Sequence, residues 1–314
     1  MQLPKNVVIC EVGLRDGLQG ESTQLSTTQK LGILEQVLNA GLPIVELGSL
    51  VHPKLVPQMA DTETLYKLAP KDTPTEYRVL VLNLKGLERA KSAGISKVKL
   101  TVSASAAHQQ RNANATIAEV LQQLETFGAY AATNGIEMSG AISTAFGCPI
   151  EGDIPYGRVA LIADGFQRVG VKEISLSDTA GLANPVQMYE VCSRALDEYP
   201  DVLWNLHLHD TRGMGLANIL AAMQAGMYRF DASLGGLGGC PFIPNASGNI
   251  ATEDLVYMLR EMGVETGIDL ETLLGAAREM QSLIGRQLPS ALLKTGVAPS
   301  RKGGTTADEP GTDA

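Results

Sequence analysis

The chain has 314 residues, 44% of them hydrophobic but only 4% aromatic, with 33 glycines, the composition of an α/β protein with a large aliphatic core. Its net charge of −9, from 25 basic and 34 acidic residues, excludes the basic surface that nucleic-acid binding requires. No apolar run reaches the ~20 residues that span a bilayer. The start MQLPKNVVICEV enters a strand pattern without a signal-peptide core, and Cys10, Cys148, Cys192 and Cys240 form no Cys-x-x-Cys pair, so a reduced, cytoplasmic protein is expected.

The first strand is predicted over 6–12, and the sharp turn GLRDGLQGE follows it. A helix over 27–40 carries Leu31, Leu34, Val37 and Leu38 on one stripe. Strand two spans 43–47, then a connection and short helix reach 62, with 64–68 continuing it. Strand three (77–82), a helix (84–93) and strand four (97–101) follow. SASAAHQQRNAN reads as a polar loop, and a helix over 116–132 places Ile117, Val120, Leu121, Leu124 and Phe127 at helical spacing. Strand five (136–142), a helix (158–170), strand six (173–176) and a Pro-initiated helix (185–198) come next. In LWNLHLHDTRGMG, starting at Leu203, apolar and polar residues alternate with the two-residue period of strand seven. A helix (216–225), strand eight (228–233), a Gly-rich stretch (234–249) and helices over 252–262 and 270–284 complete the chain.

Eight strands alternating with eight helices predict a (β/α)8 TIM barrel with additional C-terminal helices. A doubly wound sheet is the alternative, but it would not explain why polar residues follow nearly every strand. The barrel domain is expected over 1–298, and the polar PSRKGGTTADEPGTDA (299–314) is expected to be a disordered tail.

In a barrel the C-terminal strand ends share one mouth, where active sites sit. His207 and His209 lie on one face at the end of strand seven, placed to share a divalent cation through neutral imidazole nitrogens. Two core histidines bonded to their neighbours would be the structural alternative. Asp16 and the Asn249 carboxamide are the oxygen donors that could complete a mixed site. Such a set suits Mg²⁺ or Mn²⁺ better than Zn²⁺, which favours a third His or a thiolate. Arg15 is placed to hold an enolate or thioester oxygen, or else to tie the first loop to a carboxylate. Glu46 ends strand two and Asp178 follows strand six. Cys240 lies between Gly239 and Pro241 on the Gly-rich GGLGGCPFIPNASGN, a plausible lid, where proton transfer is a better use of a thiol than packing.

These motifs resemble the HMG-CoA lyases of the DRE-TIM metallolyase superfamily. The match runs through EVGLRDGLQGE (11–21), VPQM (56–59), NLKG (83–86), FGCPIEG (146–152), SLSDTAG (175–181) and HLHDTRG (207–213) to GGLGGCPFIPNASGNIATEDLVYML (235–259). The Arg-Asp pair and His-x-His suit the whole superfamily, and the cysteine loop separates the lyases. The resemblance implies Asp16, His207, His209 and Asn249 as ligands of Mg²⁺ or Mn²⁺. It implies Arg15 as enolate stabiliser, Cys240 as mobile acid/base, and Glu46 and Asp178 in proton handling. The implied reaction is retro-Claisen cleavage of 3-hydroxy-3-methylglutaryl-CoA to acetyl-CoA and acetoacetate.

Two positions depart from the family pattern: Ala141 stands where lyases usually show Tyr, and Ala106 where many have Glu. Both bear on the acyl group, so cleavage of citramalyl-CoA to pyruvate and acetyl-CoA is the alternative. A non-catalytic barrel that binds metal or a CoA ester is the alternative of a different class. The expected partner is an acyl-CoA thioester, with Arg111 and Lys85 as candidates for its phosphates. No nucleic acid or membrane partner is expected, and a homodimer is left open.

Overall fold

The computed structural model describes residues 2–239 and 248–298. Eight parallel strands close a barrel in sequence order: β1 (Val8–Glu11), β2 (Ile44–Ser49), β3 (Glu76–Val81), β4 (Lys97–Ser103), β5 (Glu137–Ser143), β6 (Glu173–Asp178), β7 (Leu203–Leu208) and β8 (Arg229–Ala232). β8 pairs with β1 from Val8↔Arg229 to Glu11↔Ala232, which closes the sheet. The main helices are α1 (Thr27–Asn39), α2 (Thr62–Leu68), α3 (Leu84–Ser92), α4 (Ala106–Ala113), α5 (Ile117–Thr133), α6 (Tyr156–Arg168), α7 (Pro185–Glu198), α8 (Gly215–Ala225), α9 (Thr252–Glu261), α10 (Leu270–Ile284) and α11 (Ala291–Thr295). The expected tail lies outside the described residues.

Local chemistry accounts for the element ends. α1 and α5 start on capping boxes, Ser26 with Gln29 and Thr116 with Glu119, which satisfy amide donors that a helix start leaves open. Asn184 caps α7 ahead of Pro185, whose missing N–H costs nothing at the first helical position. Two elements differ from the sequence expectation. The polar loop after β4 contains α4, capped by Ser105, whose Oγ accepts from His108 N. Ala, Gln and Arg favour a helix there, but no apolar stripe betrays it. The first turn is a π-helical one, in which the amides of Arg15, Asp16 and Gly17 all reach Val12 O. It turns two consecutive side chains, Arg15 and Asp16, toward the barrel mouth.

The strands divide their two faces by chemistry. Outward positions such as Val45, Val79, Val98, Leu100, Ile174, Leu206 and Phe230 pack beneath the helices in the apolar core. Gly140 faces that layer because a Cβ there would meet the Phe166 ring at 2.8 Å. Inward positions are largely polar: Glu46, Arg78, Lys99, Ser139, Glu173, Ser175, Asn205, His207 and Asp231 are all buried. Buried charge survives only when paired. Near the lower end Arg78 forks onto Glu173, with Nη2 2.9 Å from Oε2, and Arg229 Nη2 lies 3.2 Å from the same oxygen. The upper charges build the site.

Candidate metal centre and active site

Three lone-pair donors converge at the mouth. His207 Nε2 and His209 Nε2 are 3.3 Å apart, and they lie 3.7 and 3.4 Å from Asp16 Oδ2. Asp16, His207 and His209 thus offer ligand atoms within 4.8 Å of one another, a candidate metal site. β7 supplies the histidines at alternate positions, and the π-helical turn brings Asp16 across from β1. Asn249 sits opposite His209 in an isolated bridge, and its Nδ2 donates to Asp16 Oδ2 at 2.7 Å and to Leu237 O at 3.0 Å. Its Oδ1 is buried with no hydrogen-bond partner among the described residues. An oxygen without a donor beside a carboxylate and two imidazoles is the donor set of a divalent cation, so these residues fit the expected metal.

The layer beneath tunes this set. His207 Nδ1 is 3.2 Å from Asp231 Oδ2, an arrangement in which Nδ1–H donates and Nε2 is left as the ligand lone pair. Asp231 also takes Asn205 Nδ2 at 2.8 Å and Lys99 Nζ at 2.9 Å. Burial pushes the Asp231 carboxyl up, but Lys99 and the His207 hydrogen bond outweigh it and hold it well below the usual carboxylate range. Asp16 is likewise opposed by burial yet kept well below that range by Arg15 and the two histidines.

Arg15 gives Nε to Glu46 and Nη1 to Asp16, which leaves Nη2 without a partner among the described residues. Glu46 is fully buried, with Oε2 2.8 Å from Lys99 Nζ. Burial pushes its pKa up, but the adjacent Arg15 and Lys99 cations overcome that and hold it below the usual carboxylate value. Here Glu46 is a poor proton acceptor and orients the guanidinium. Arg15, Lys99, Asp16, Glu46 and Asp231 form one network of three carboxylates and two cations. It carries one negative charge in excess, a further reason for a cation at the histidines.

Asp178 departs from expectation. Ser175 and Ser177 face the interior, so the pleat turns Asp178 to the outer face. Its two oxygens accept from Leu182 N at 2.9 Å and Ala183 N at 3.0 Å, while burial keeps its carboxyl raised. The structure gives it the work of holding the turn after β6, away from the cavity. Cys240 lies outside the described residues, although Gly239, which precedes it, lines the cavity. Cys10 and Cys192 are buried, as expected of packing thiols.

The cavity holds about 140 Å³, enough for an acyl chain but not for a whole CoA thioester. Arg15, Asp16, Gln19, Lys99, His207, His209 and Asp231 line it together with Leu80, Leu82, Thr101, His108, Asn112, Ala141, Ser143, Ser175, Ser177 and Thr179. Arg111 and Lys85 are exposed, on α4 and α3. Sequence reading missed Asp231 and Lys99. Alternation in KVKLTV and YRFDAS was the available signal, since it places each on the inward face.

The chain matches the HMGL-like family over residues 6–280. It belongs to that family. It is 41% identical over 294 residues to the hydroxymethylglutaryl-CoA lyase of Bacillus subtilis, covering 94% of this chain and 98% of the relative. It is 42% identical over 300 residues to the (R)-citramalyl-CoA lyase of Chloroflexus aurantiacus, covering 92% and 95%. An HMG-CoA lyase structure from Acinetobacter baumannii, in complex with coenzyme A and 3-methylmalate, superposes with a TM-score of 0.89 at 39% identity, covering 94% of this chain and 98% of that one. No helix among the described residues is long and apolar enough to cross a membrane.

Proposed function

We propose that this chain is a divalent-metal-dependent carbon–carbon lyase that cleaves (S)-3-hydroxy-3-methylglutaryl-CoA to acetyl-CoA and acetoacetate. The observation that carries the reading is the convergence of Asp16, His207 and His209 beside the half-used guanidinium of Arg15. Asp16, His207, His209 and Asn249 would hold Mg²⁺ or Mn²⁺, whose bound form supplies Lewis-acid polarisation of the substrate's tertiary hydroxyl. The hydroxyl gives its proton to water in the open cavity, the C2–C3 bond breaks, and the electron pair of that bond moves into the thioester enolate. Arg15 meets the enolate oxygen with Nη2, where negative charge develops. Glu46 fixes Arg15 from below, and Asp231 fixes the His207 tautomer. Cys240 then delivers a proton to C2, so one proton leaves the hydroxyl and one is returned to carbon.

Citramalyl-CoA is the second reading, because similarity of 41% to one lyase and 42% to the other does not separate their substrates. The deciding experiment incubates metal-stripped and Mn²⁺-loaded enzyme with both esters and identifies products by mass. Acetoacetate formed only with metal supports the first reading, and pyruvate the second. No turnover of either ester would leave a metal- or ester-binding barrel. The three described cysteines are all free, in keeping with a reducing, cytoplasmic setting.

A further inference from the structure

The cavity wall facing the candidate metal ligands is made of small side chains in one layer. Thr101 pairs in register with Ala141, and Ala141 with Ser175, so three adjacent strands present nothing larger than threonine. Ser143 stands one inward position above Ala141, and Ser177 is in register with His207. This wall and His207 line the same cavity.

Ser143 supplies the second observation. It is 7% exposed, it lines the cavity, and its Oγ is buried with no hydrogen-bond partner among the described residues. The neighbouring hydroxyls are matched: Ser103 Oγ and Thr144 Oγ1 are 2.9 Å apart, and His108 Nδ1 is 3.0 Å from Ser103 Oγ. Buried hydroxyls are normally satisfied, and an oxygen on the substrate would satisfy this one.

We infer that Ala141 and Ser143 form a subsite for a C3 substituent larger than methyl and ending in an oxygen. The favoured substrates are 3-hydroxyacyl-CoA thioesters with a short hydroxyalkyl arm at C3. Ala141 gives the arm its room and Ser143 bonds its oxygen. The reaction is the cleavage already described, with the arm leaving on the ketone product, so the inference rests on the lyase reading.

The test compares three thioesters on the Mn²⁺-loaded full chain: 3-hydroxy-3-methylglutaryl-CoA and its analogues with ethyl or hydroxymethyl in place of the C3 methyl. Ethyl and hydroxymethyl match in size and differ in the oxygen. The hydroxymethyl ester is expected to show the highest kcat/KM, about tenfold above ethyl. Ser143→Ala should abolish that tenfold preference, and this variant only removes atoms. Ala141→Leu should lower kcat/KM for both larger esters about tenfold relative to the methyl ester. A wild-type enzyme that cleaves the methyl ester but rejects both larger ones overturns the subsite and leaves the lyase reading intact. Preferences unchanged in Ser143→Ala also overturn it. If none of the three esters is cleaved, the 3-hydroxy-3-methylglutaryl-CoA reading fails and the subsite falls with it.

Discussion

The imidazole of His207 is held from behind by Asp231, whose Oδ2 lies 3.2 Å from Nδ1 on the side away from Asp16. That contact decides which nitrogen faces the site, and Lys99, 2.9 Å from the same oxygen, keeps the carboxylate charged. The barrel interior thus prepares the ligand set before any metal arrives.

Asp231→Asn should therefore weaken metal binding without removing a ligand. Loss of such a supporting carboxylate typically costs 10–100-fold in affinity. Mn²⁺ titration of the variant, with circular dichroism to check the fold, measures this. An unchanged Mn²⁺ affinity would mean that His207 keeps its tautomer without help.

Arg15→Lys should fold and lose about 10²–10³ in kcat, the usual cost of a missing oxyanion donor. An ammonium cannot meet Glu46 and Asp16 at once and still present a third donor to the substrate. Steady-state kinetics separates the possibilities, since a rise in KM at unchanged kcat would make Arg15 a ground-state anchor instead.

Cys240→Ser should lower kcat by about 10²–10⁴ and leave Mn²⁺ affinity alone, because a hydroxyl is a far weaker acid than a thiol. The control is Cys192→Ala on α7, where the thiol is fully buried with Sγ 3.6 Å from Met188 Sδ. The control should cost stability and spare turnover. Wild-type kcat in Cys240→Ser would remove the thiol from the chemistry.

The parts of this site legible in sequence were those carried by short local patterns. His207 and His209 announce themselves by alternation at a strand end, and Asp16 by its place in the turn after β1. Lys99 stands between Val98 and Leu100 and Asp231 between Phe230 and Ala232, and only three-dimensional closure brings them within 2.9 Å across 132 residues. Asp178 shows the opposite failure. Its position after a strand suggested the mouth, but the pleat sends alternate residues outward, and the backbone amides of Leu182 and Ala183 in the next turn claim its carboxylate. α4 escaped because its sequence has no apolar stripe, although Ser105 marks its start.

Glu11 ends β1 and has no exposure. Its carboxyl accepts from Gly13 N at 2.7 Å, Leu234 N at 2.9 Å and Thr252 Oγ1 at 2.5 Å, tying the first turn to the base of the Gly-rich segment. Burial pushes its pKa from 4.5 to about 7, and the hydrogen bonds offset that only in part. The folded state therefore binds the proton more tightly than the unfolded state does. The stability this contributes is full below about pH 4.5 and is lost as pH rises through about 7. Glu253, raised to about 8 and bonded to Gly235 N, acts in the same direction. Glu11→Gln keeps an acceptor for the backbone amides and cannot ionise. Its stability relative to wild type should improve from pH 5 to pH 8, by at most about 3 kcal/mol for a shift of this size. Urea midpoints of both proteins at pH 5, 6.5 and 8 measure the difference. A difference that stays constant across that range would show that Glu11 has the same proton occupancy folded and unfolded.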